Sequence, residues 1–235
     1  MVSRDLENAN MNYIHSWSLN AKQHFEDGDY DWICDKLSNY KKILEIGCGA
    51  GYSTRTFLRR GFDVIATDLN PFAIEETKHL VLESSCTSGR IAFQQVDVVH
   101  EMNVAIRIAK EADIMVLCNP GGNCDDKLTC GELRLLKICG FSDNEIDNSS
   151  FDLLHKWTQI FGACGAASLA EKPILIVERV ESKEAGDEQS KQIAADMGLR
   201  LINTDYRTIR KPPEGGVYIR CGDNLMWMSA MYFPR

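Results

Sequence analysis

Residues Ile43-Leu44-Glu45-Ile46-Gly47-Cys48-Gly49-Ala50-Gly51 carry a short apolar run into three closely spaced glycines, and an amphipathic segment, Tyr52 to Arg60, follows at once. Glycine is needed where a turn requires positive φ or where a ligand must approach bare backbone. A helix that starts just after such a turn leaves N–H groups unpaired and directed at that ligand. The next apolar run, Asp63 to Thr67, ends on Asp68. An acid about 20 residues beyond a glycine turn is placed to take two ribose hydroxyls. Together the turn and the acid predict a nucleoside-bearing ligand.

The register of the glycines narrows the choice. A dinucleotide loop reads Gly-x-Gly-x-x-Gly, its third glycine allowing close helix–strand packing. With Gly47 and Gly49 as the first two, that third position is Tyr52, and the extra glycine is Gly51. Glu45 precedes the first glycine by two places. A carboxylate there repels a pyrophosphate and suits a ligand carrying a sulfonium and an ammonium group. The pattern Glu-x-Gly-x-Gly-x-Gly resembles motif I of the class I (Rossmann-like) S-adenosylmethionine-dependent methyltransferases. The resemblance covers roughly residues 40–180. It implies S-adenosylmethionine as cofactor, held by Glu45 and the loop Gly47, Cys48, Gly49 and Gly51. It also implies Asp68 on the ribose, Leu69 on the adenine face, and Asp97, with Val98 beside it, at the adenine amino group. Asn119-Pro120-Gly121-Gly122, after the apolar run Asp113 to Cys118, resembles the family's Asn-Pro-Pro-aromatic motif. Glycines stand where the second proline and the aromatic residue belong. Asn119 and Pro120 are the catalytic candidates, and Asn119 also borders the cofactor. As a strand-ending turn, Asn-Pro has a purely local explanation too.

Strand patterns at 42–46, 63–67, 91–95, 113–118, 173–178, 201–206 and 225–233 alternate with helix patterns near 52–60, 71–84, 101–110, 150–170 and 186–197. That alternation predicts an α/β fold: a doubly wound, seven-stranded, mostly parallel sheet with helices on both faces. The last two strands are joined by a segment containing Pro212-Pro213 and Gly215-Gly216, which suits an antiparallel return. An antiparallel end to the sheet is also what the resemblance implies. Before the first strand, Asn12 to Ser38 reads as two helices with a turn at Gly28. Residues 1–40 thus form an N-terminal helical lid on a core at 41–235, all in one domain of 1–235, with an irregular insertion at 121–149 holding a short helix at 133–138. Tyr13, Trp17 and His24 are the lid's candidates for touching substrate; packing explains aromatic residues at helical spacing equally well.

The 235 residues are 44% hydrophobic with a net charge of −8. This balance disfavours a large nucleic-acid footprint, which needs a basic stripe. Local basic clusters are Arg55, Arg59 and Arg60, and Arg207, Arg210 and Lys211. No apolar run reaches bilayer length, and Met1 to Asn10 is not a signal peptide. The nine cysteines contain no Cys-x-x-Cys pair, so reduced thiols in a cytoplasmic protein are expected. The gaps separating Cys124, Cys130 and Cys139 are wider than zinc ligand pairs use, so no metal is expected. The function read from these features is methyl transfer from S-adenosylmethionine to a small-molecule acceptor, with nitrogen the atom that Asn119 and the Pro120 carbonyl would suit. Methylation of RNA, DNA or protein is the alternative. A non-catalytic cofactor-binding protein and a nucleotide-linked oxidoreductase also remain open.

Overall fold

The computed structural model describes residues 4–83, 88–119, 130–149, 151–211, 213, 214 and 226–235, with backbone alone at 4–13, Ser16, Cys130, Gly131, Asn148, Phe151 and Asp152. Two helices, α1 (Arg4–Glu26) and α2 (Asp29–Lys36), precede β1 (Lys42–Ile46), α3 (Tyr52–Arg59), β2 (Asp63–Asp68), α4 (Pro71–Leu82), β3 (Ile91–Gln95), α5 (Met102–Ala109) and β4 (Ile114–Cys118). Then follow α6 (Cys130–Ile138), α7 (Asp143–Asn148), α8 (Phe151–Ala170), β5 (Ile174–Val180), α9 (Lys183–Asp196), β6 (Leu199–Thr208) and β7 (Met226–Pro234). The sheet order is β3-β2-β1-β4-β5-β7-β6. Strands β1 to β5 pair in parallel, and β7 runs antiparallel to both β5 and β6. The expected fold class is therefore the observed one.

Alternation along the strands sorts the core into two layers. Ile43, Val64, Ile114 and Val177 face one cluster with Phe57 and Leu58 of α3 and Ile33 of α2. Leu44, Met115 and Ile176 face the other, with Phe161 and Cys164 of α8 and Ile193 of α9. Burying side chains such as Phe57 and Leu58 completely, as here, contributes about 1.5–3 kcal/mol each.

Two differences from the expected elements have local causes. Helix α1 starts at Arg4, not Asn12, because Arg4 to Asn10 carries little apolar periodicity but contains no helix breaker. The insertion holds a second helix, α7, besides the one expected at 133–138. It is announced by a capping box in which the Ser142 hydroxyl accepts from Glu145 N–H and the Glu145 carboxylate accepts from Ser142 N–H, a sequence signal of helix starts. Residues 121–129, the expected irregular stretch, lie outside the described residues. Among the described residues no helix is long and apolar enough to cross a membrane.

Candidate active site

The loop after β1 is tied to β2. Gly47 and Cys48 both donate N–H groups to the Thr67 carbonyl, each at 2.8 Å. Gly47, Gly49 and Gly51 all have positive φ, at 76°, 54° and 85°, yet their surroundings differ. A Cβ at Gly47 or Gly49 would meet no atom within 4 Å. A Cβ at Gly51 would lie 2.8 Å from the Thr77 Cα. The first two glycines line open space at the carboxyl edge of the sheet, and the third is a packing glycine between α3 and α4. Gly51 caps α3 without any side-chain hydrogen bond, so the first-turn N–H groups take no partner from a capping side chain. Cys48 is buried, with its Sγ 3.4 Å from the Thr77 hydroxyl. Its side chain thus faces the core.

Asp68 ends β2. Its Oδ2 accepts from Gly49 N–H at 2.9 Å and its Oδ1 from Asn70 N–H at 2.8 Å. Burial raises its pKa, and these N–H donors oppose the rise. Each oxygen has a second lone pair, so the carboxylate can hold the loop and still accept two hydroxyl groups. Leu69 is half-buried, and its carbonyl accepts from the Gln95 amide.

Glu45 differs from the expectation of a carboxylate turned to a cationic ligand. It is fully buried on the α3 side of the sheet. Its two oxygens accept from the Ser53 and Thr54 hydroxyls, each at 2.5 Å. Burial pushes its pKa up to about 7, against those two hydrogen bonds, with the nearby Asp68 adding to the rise. Glu45 clamps the start of α3, and it is only partly ionised at neutral pH.

Asp97 follows β3 and is engaged in its own turn. Its Oδ1 accepts from Val99 and His100 N–H groups, and its Oδ2 lies 2.7 Å from His100 Nδ1. Val98 is 1% exposed and packs in the core against Gly162 of α8, so its side chain is a core group. Asn119 sits just past β4 with φ at 46° and donates its N–H to the Val177 carbonyl at 2.6 Å. Asparagine tolerates this left-handed conformation better than other non-glycine residues. A strained turn held by a neighbouring strand is a feature that gathers at functional sites. Pro120 lies outside the described residues, as does the side chain of Tyr13.

Trp17 and His24 of α1 do reach the same edge, where they meet residues that pattern reading missed. His24 Nδ1 is 2.8 Å from Asp29 Oδ2, and Arg179 Nη2 is 3.2 Å from His24 Nε2. Arg207 donates to Asp29 Oδ1 at 2.7 Å, and the Arg179 guanidinium lies 5.5 Å from the Trp17 ring centroid. Burial, assisted by Arg179, holds the His24 imidazole below its usual pKa against the pull of Asp29. The visible signal was the pair Glu178-Arg179, two charges within the otherwise apolar run of β5.

Glycine loop, strand-end acids and Asn119 thus line one carboxyl edge, where open α/β sheets bind ligands. The sheet order with antiparallel β7 is the fold of class I S-adenosylmethionine-dependent methyltransferases. Residues 43–123 match a family model described as a methyltransferase domain. The matched segment holds the glycine loop, Asp68, Asp97 and Asn119, on a fold that methyltransferases share. Among solved structures, the N-methyltransferase NodS from Bradyrhizobium japonicum WM9, in complex with S-adenosyl-L-homocysteine, superposes with a TM-score of 0.55 at 13% identity, covering 99% of this chain and 98% of that one. The methyltransferase domain of the bacterial protein CtHen1-C gives 0.54 at 10% identity over 90% and 100% of the two chains. Magnesium protoporphyrin IX methyltransferase (ChlM) from Synechocystis PCC 6803, with bound S-adenosylmethionine, gives 0.51 at 14% identity over 94% and 84%. These likenesses are of fold. No curated protein matches the chain.

Proposed function

We propose that the chain transfers the methyl group of S-adenosylmethionine to a small-molecule acceptor, at nitrogen, in the cytoplasm. Residues 1–235 act as one domain, in which α1 and α2 close over the edge and α6 and α7 border the acceptor. The cradle above Gly47 and Gly49 fits the cofactor, because those positions alone in the loop leave room beyond the backbone. Backbone of the Gly47–Gly49 loop and the free lone pairs of Asp68 would hold it, with Leu69 and Asp97 at the base. Bound there, the cofactor supplies an activated methyl group on a sulfonium. The protein then has to align the acceptor and exclude water.

The observation that carries the reading is Asn119, whose backbone is locked in the left-handed region by Val177. Its amide carbonyl can accept an N–H of the acceptor and fix the nitrogen's orientation. A small acceptor is favoured by the fate of the basic clusters. Arg59 and Arg60 pair with Asp31 and Asp35, and Arg207 and Arg210 pair with Asp29 and Asp27, so neither cluster is a bare cationic surface for phosphates. The free thiols of Cys34, Cys48, Cys118, Cys139 and Cys164 support the cytoplasmic placement.

The test supplies radiolabelled S-adenosylmethionine with separated low-mass, RNA, DNA and protein fractions of a cell extract. Label appears in the low-mass fraction, and Asn119→Ala lowers that turnover more than it lowers S-adenosylhomocysteine affinity. Label confined to a macromolecular fraction contradicts the small acceptor. Equal losses of turnover and affinity make Asn119 a cofactor contact only.

A further inference from the structure

In the β2–β3 pairing Asp68 stands opposite Gln95, so Asp97, two residues on, follows the same carboxyl edge. The backbone acceptors around it are taken. The Asp68 carbonyl accepts from Val96 N–H at 3.1 Å, the Leu69 carbonyl from the Gln95 amide at 3.0 Å, and the Asp97 carbonyl from Glu101 N–H at 2.8 Å. The Asp97 N–H itself donates to the Glu101 carboxylate at 3.0 Å. The turn from Asp97 to Glu101, which leads into α5, is thus closed on itself.

An ionised carboxylate offers about four lone pairs. On Asp97 two belong to Oδ1, and the Val99 and His100 N–H groups use both, at 2.8 and 3.0 Å. On Oδ2 one is used by His100 Nδ1 at 2.7 Å. A carboxylate only accepts, so Nδ1 carries a proton there. Among the described residues nothing else reaches Oδ2, and one lone pair is left. Two backbone donors at Oδ1 fix one oxygen and still let the carboxylate pivot about it. The imidazole stops that pivot and decides where the last lone pair points. The Asp97 side chain is 16% exposed and that of His100 41%, so the carboxylate is not sealed in the core. Next to it, the Val98 N–H has no hydrogen-bond partner among the described residues.

One acceptor beside one donor is the complement of adenine, whose 6-amino group donates next to the accepting N1. Hypoxanthine reverses both, with an accepting 6-oxo group and a donating N1–H. A polar group that faces its own kind loses the hydrogen bond and keeps the cost of desolvation. Such discrimination requires the acceptor to be held in place before the base arrives.

We propose that His100 is a positioning residue: it fixes Asp97 as a single-site acceptor for a 6-amino group, so that the site takes adenine and rejects hypoxanthine. The proposal rests on the reading of this edge as the S-adenosylmethionine site.

The test is calorimetry on the full chain with S-adenosylhomocysteine against S-inosylhomocysteine, its 6-oxo analogue. The wild type binds the adenine form about tenfold or more tighter. His100→Ala frees the carboxylate to pivot and cuts that ratio to about threefold or less. His100→Asn, whose amide N–H stands where Nδ1 does, keeps the wild-type ratio. Asp97→Asn keeps its carbonyl on the two backbone donors, turns its NH2 toward the base and reverses the preference. A merely structural role of His100 would lower both affinities alike and leave the ratio unchanged. Equal binding of the two compounds by the wild type overturns the proposal and leaves the cofactor reading intact. A ratio that survives His100→Ala also overturns it. So does a ratio that falls as far in His100→Asn as in His100→Ala, because the imidazole itself would then touch the base. An adenine preference kept by Asp97→Asn places the base elsewhere and overturns it as well. Should Asp97→Asn fail to fold, the two His100 variants decide. If the folded wild type binds neither compound, the cofactor reading falls and the proposal falls with it.

Discussion

Replacing Gly51 by alanine separates the packing glycine from those that line the cofactor cradle. At φ +85° the new side chain meets the left-handed penalty, about 1–2 kcal/mol for an L residue. Its Cβ would also stand 2.8 Å from the Cα of Thr77. That neighbour is backbone of α4, so relief requires the helix to shift, and overpacking of this kind costs about 1–3 kcal/mol more. The expected loss is about 2–5 kcal/mol of unfolding free energy. Gly47→Ala carries the φ penalty alone, because its Cβ meets nothing within 4 Å. In both variants reduced freedom of the unfolded chain offsets about 0.4–1 kcal/mol of the loss. Urea unfolding without cofactor therefore ranks the variants Gly51→Ala well below Gly47→Ala. Calorimetry with S-adenosylhomocysteine reverses the ranking, since the Gly47 methyl enters the cradle. Equal destabilisation by the two substitutions, or wild-type S-adenosylhomocysteine affinity in Gly47→Ala, would refute the division.

Glu45 predicts a pH dependence. Its folded pKa is about 7 against a reference of 4.5, so between those values the folded state binds more protons than the unfolded one. Its contribution is fully present below pH 4.5 and is lost as pH rises through about 7, by up to about 3 kcal/mol. Glu45→Gln should flatten that part of the stability curve in urea titrations run across the interval; an unchanged slope would assign the trend to other groups. Asp29→Ala removes the shared partner of His24 and Arg207 and leaves both buried or half-buried without it. A loss of about 1–3 kcal/mol is expected, as the His24 imidazole and the half-buried Arg207 guanidinium each lose a charged hydrogen-bond acceptor. A change under about 1 kcal/mol, the value of a surface pair, would show that the network is not desolvated.

The elements of this fold were legible because their signals are local. Strand periodicity and the glycine turn each lie within a few residues of what they specify. Ser142 and Glu145 were equally local, and α7 could have been read from them. The distinct roles of the glycines were not legible, because Gly51 is defined by Thr77 on another helix. That Glu45 takes the Ser53 and Thr54 hydroxyls of α3 was not legible either, since its spacing from the glycines says nothing of that helix. The Arg179 network was hidden for a stronger reason: His24 and Arg179 are 155 positions apart, and Asp29 and Arg207 are 178 apart. A turn written Asp27-Gly28-Asp29 does not disclose that its second acid anchors a guanidinium on β6.

The central claim is that the Gly47–Gly49 cradle and Asp68 form the cofactor site. Calorimetric titration of S-adenosylhomocysteine into the wild type and Asp68→Ala, with unfolding curves showing both chains folded, tests it most directly. The account predicts binding by the wild type and a loss of about 1–3 kcal/mol in the variant, as the ribose hydroxyls lose a charged acceptor. No binding by the folded wild type, or the same affinity in Asp68→Ala, would contradict it.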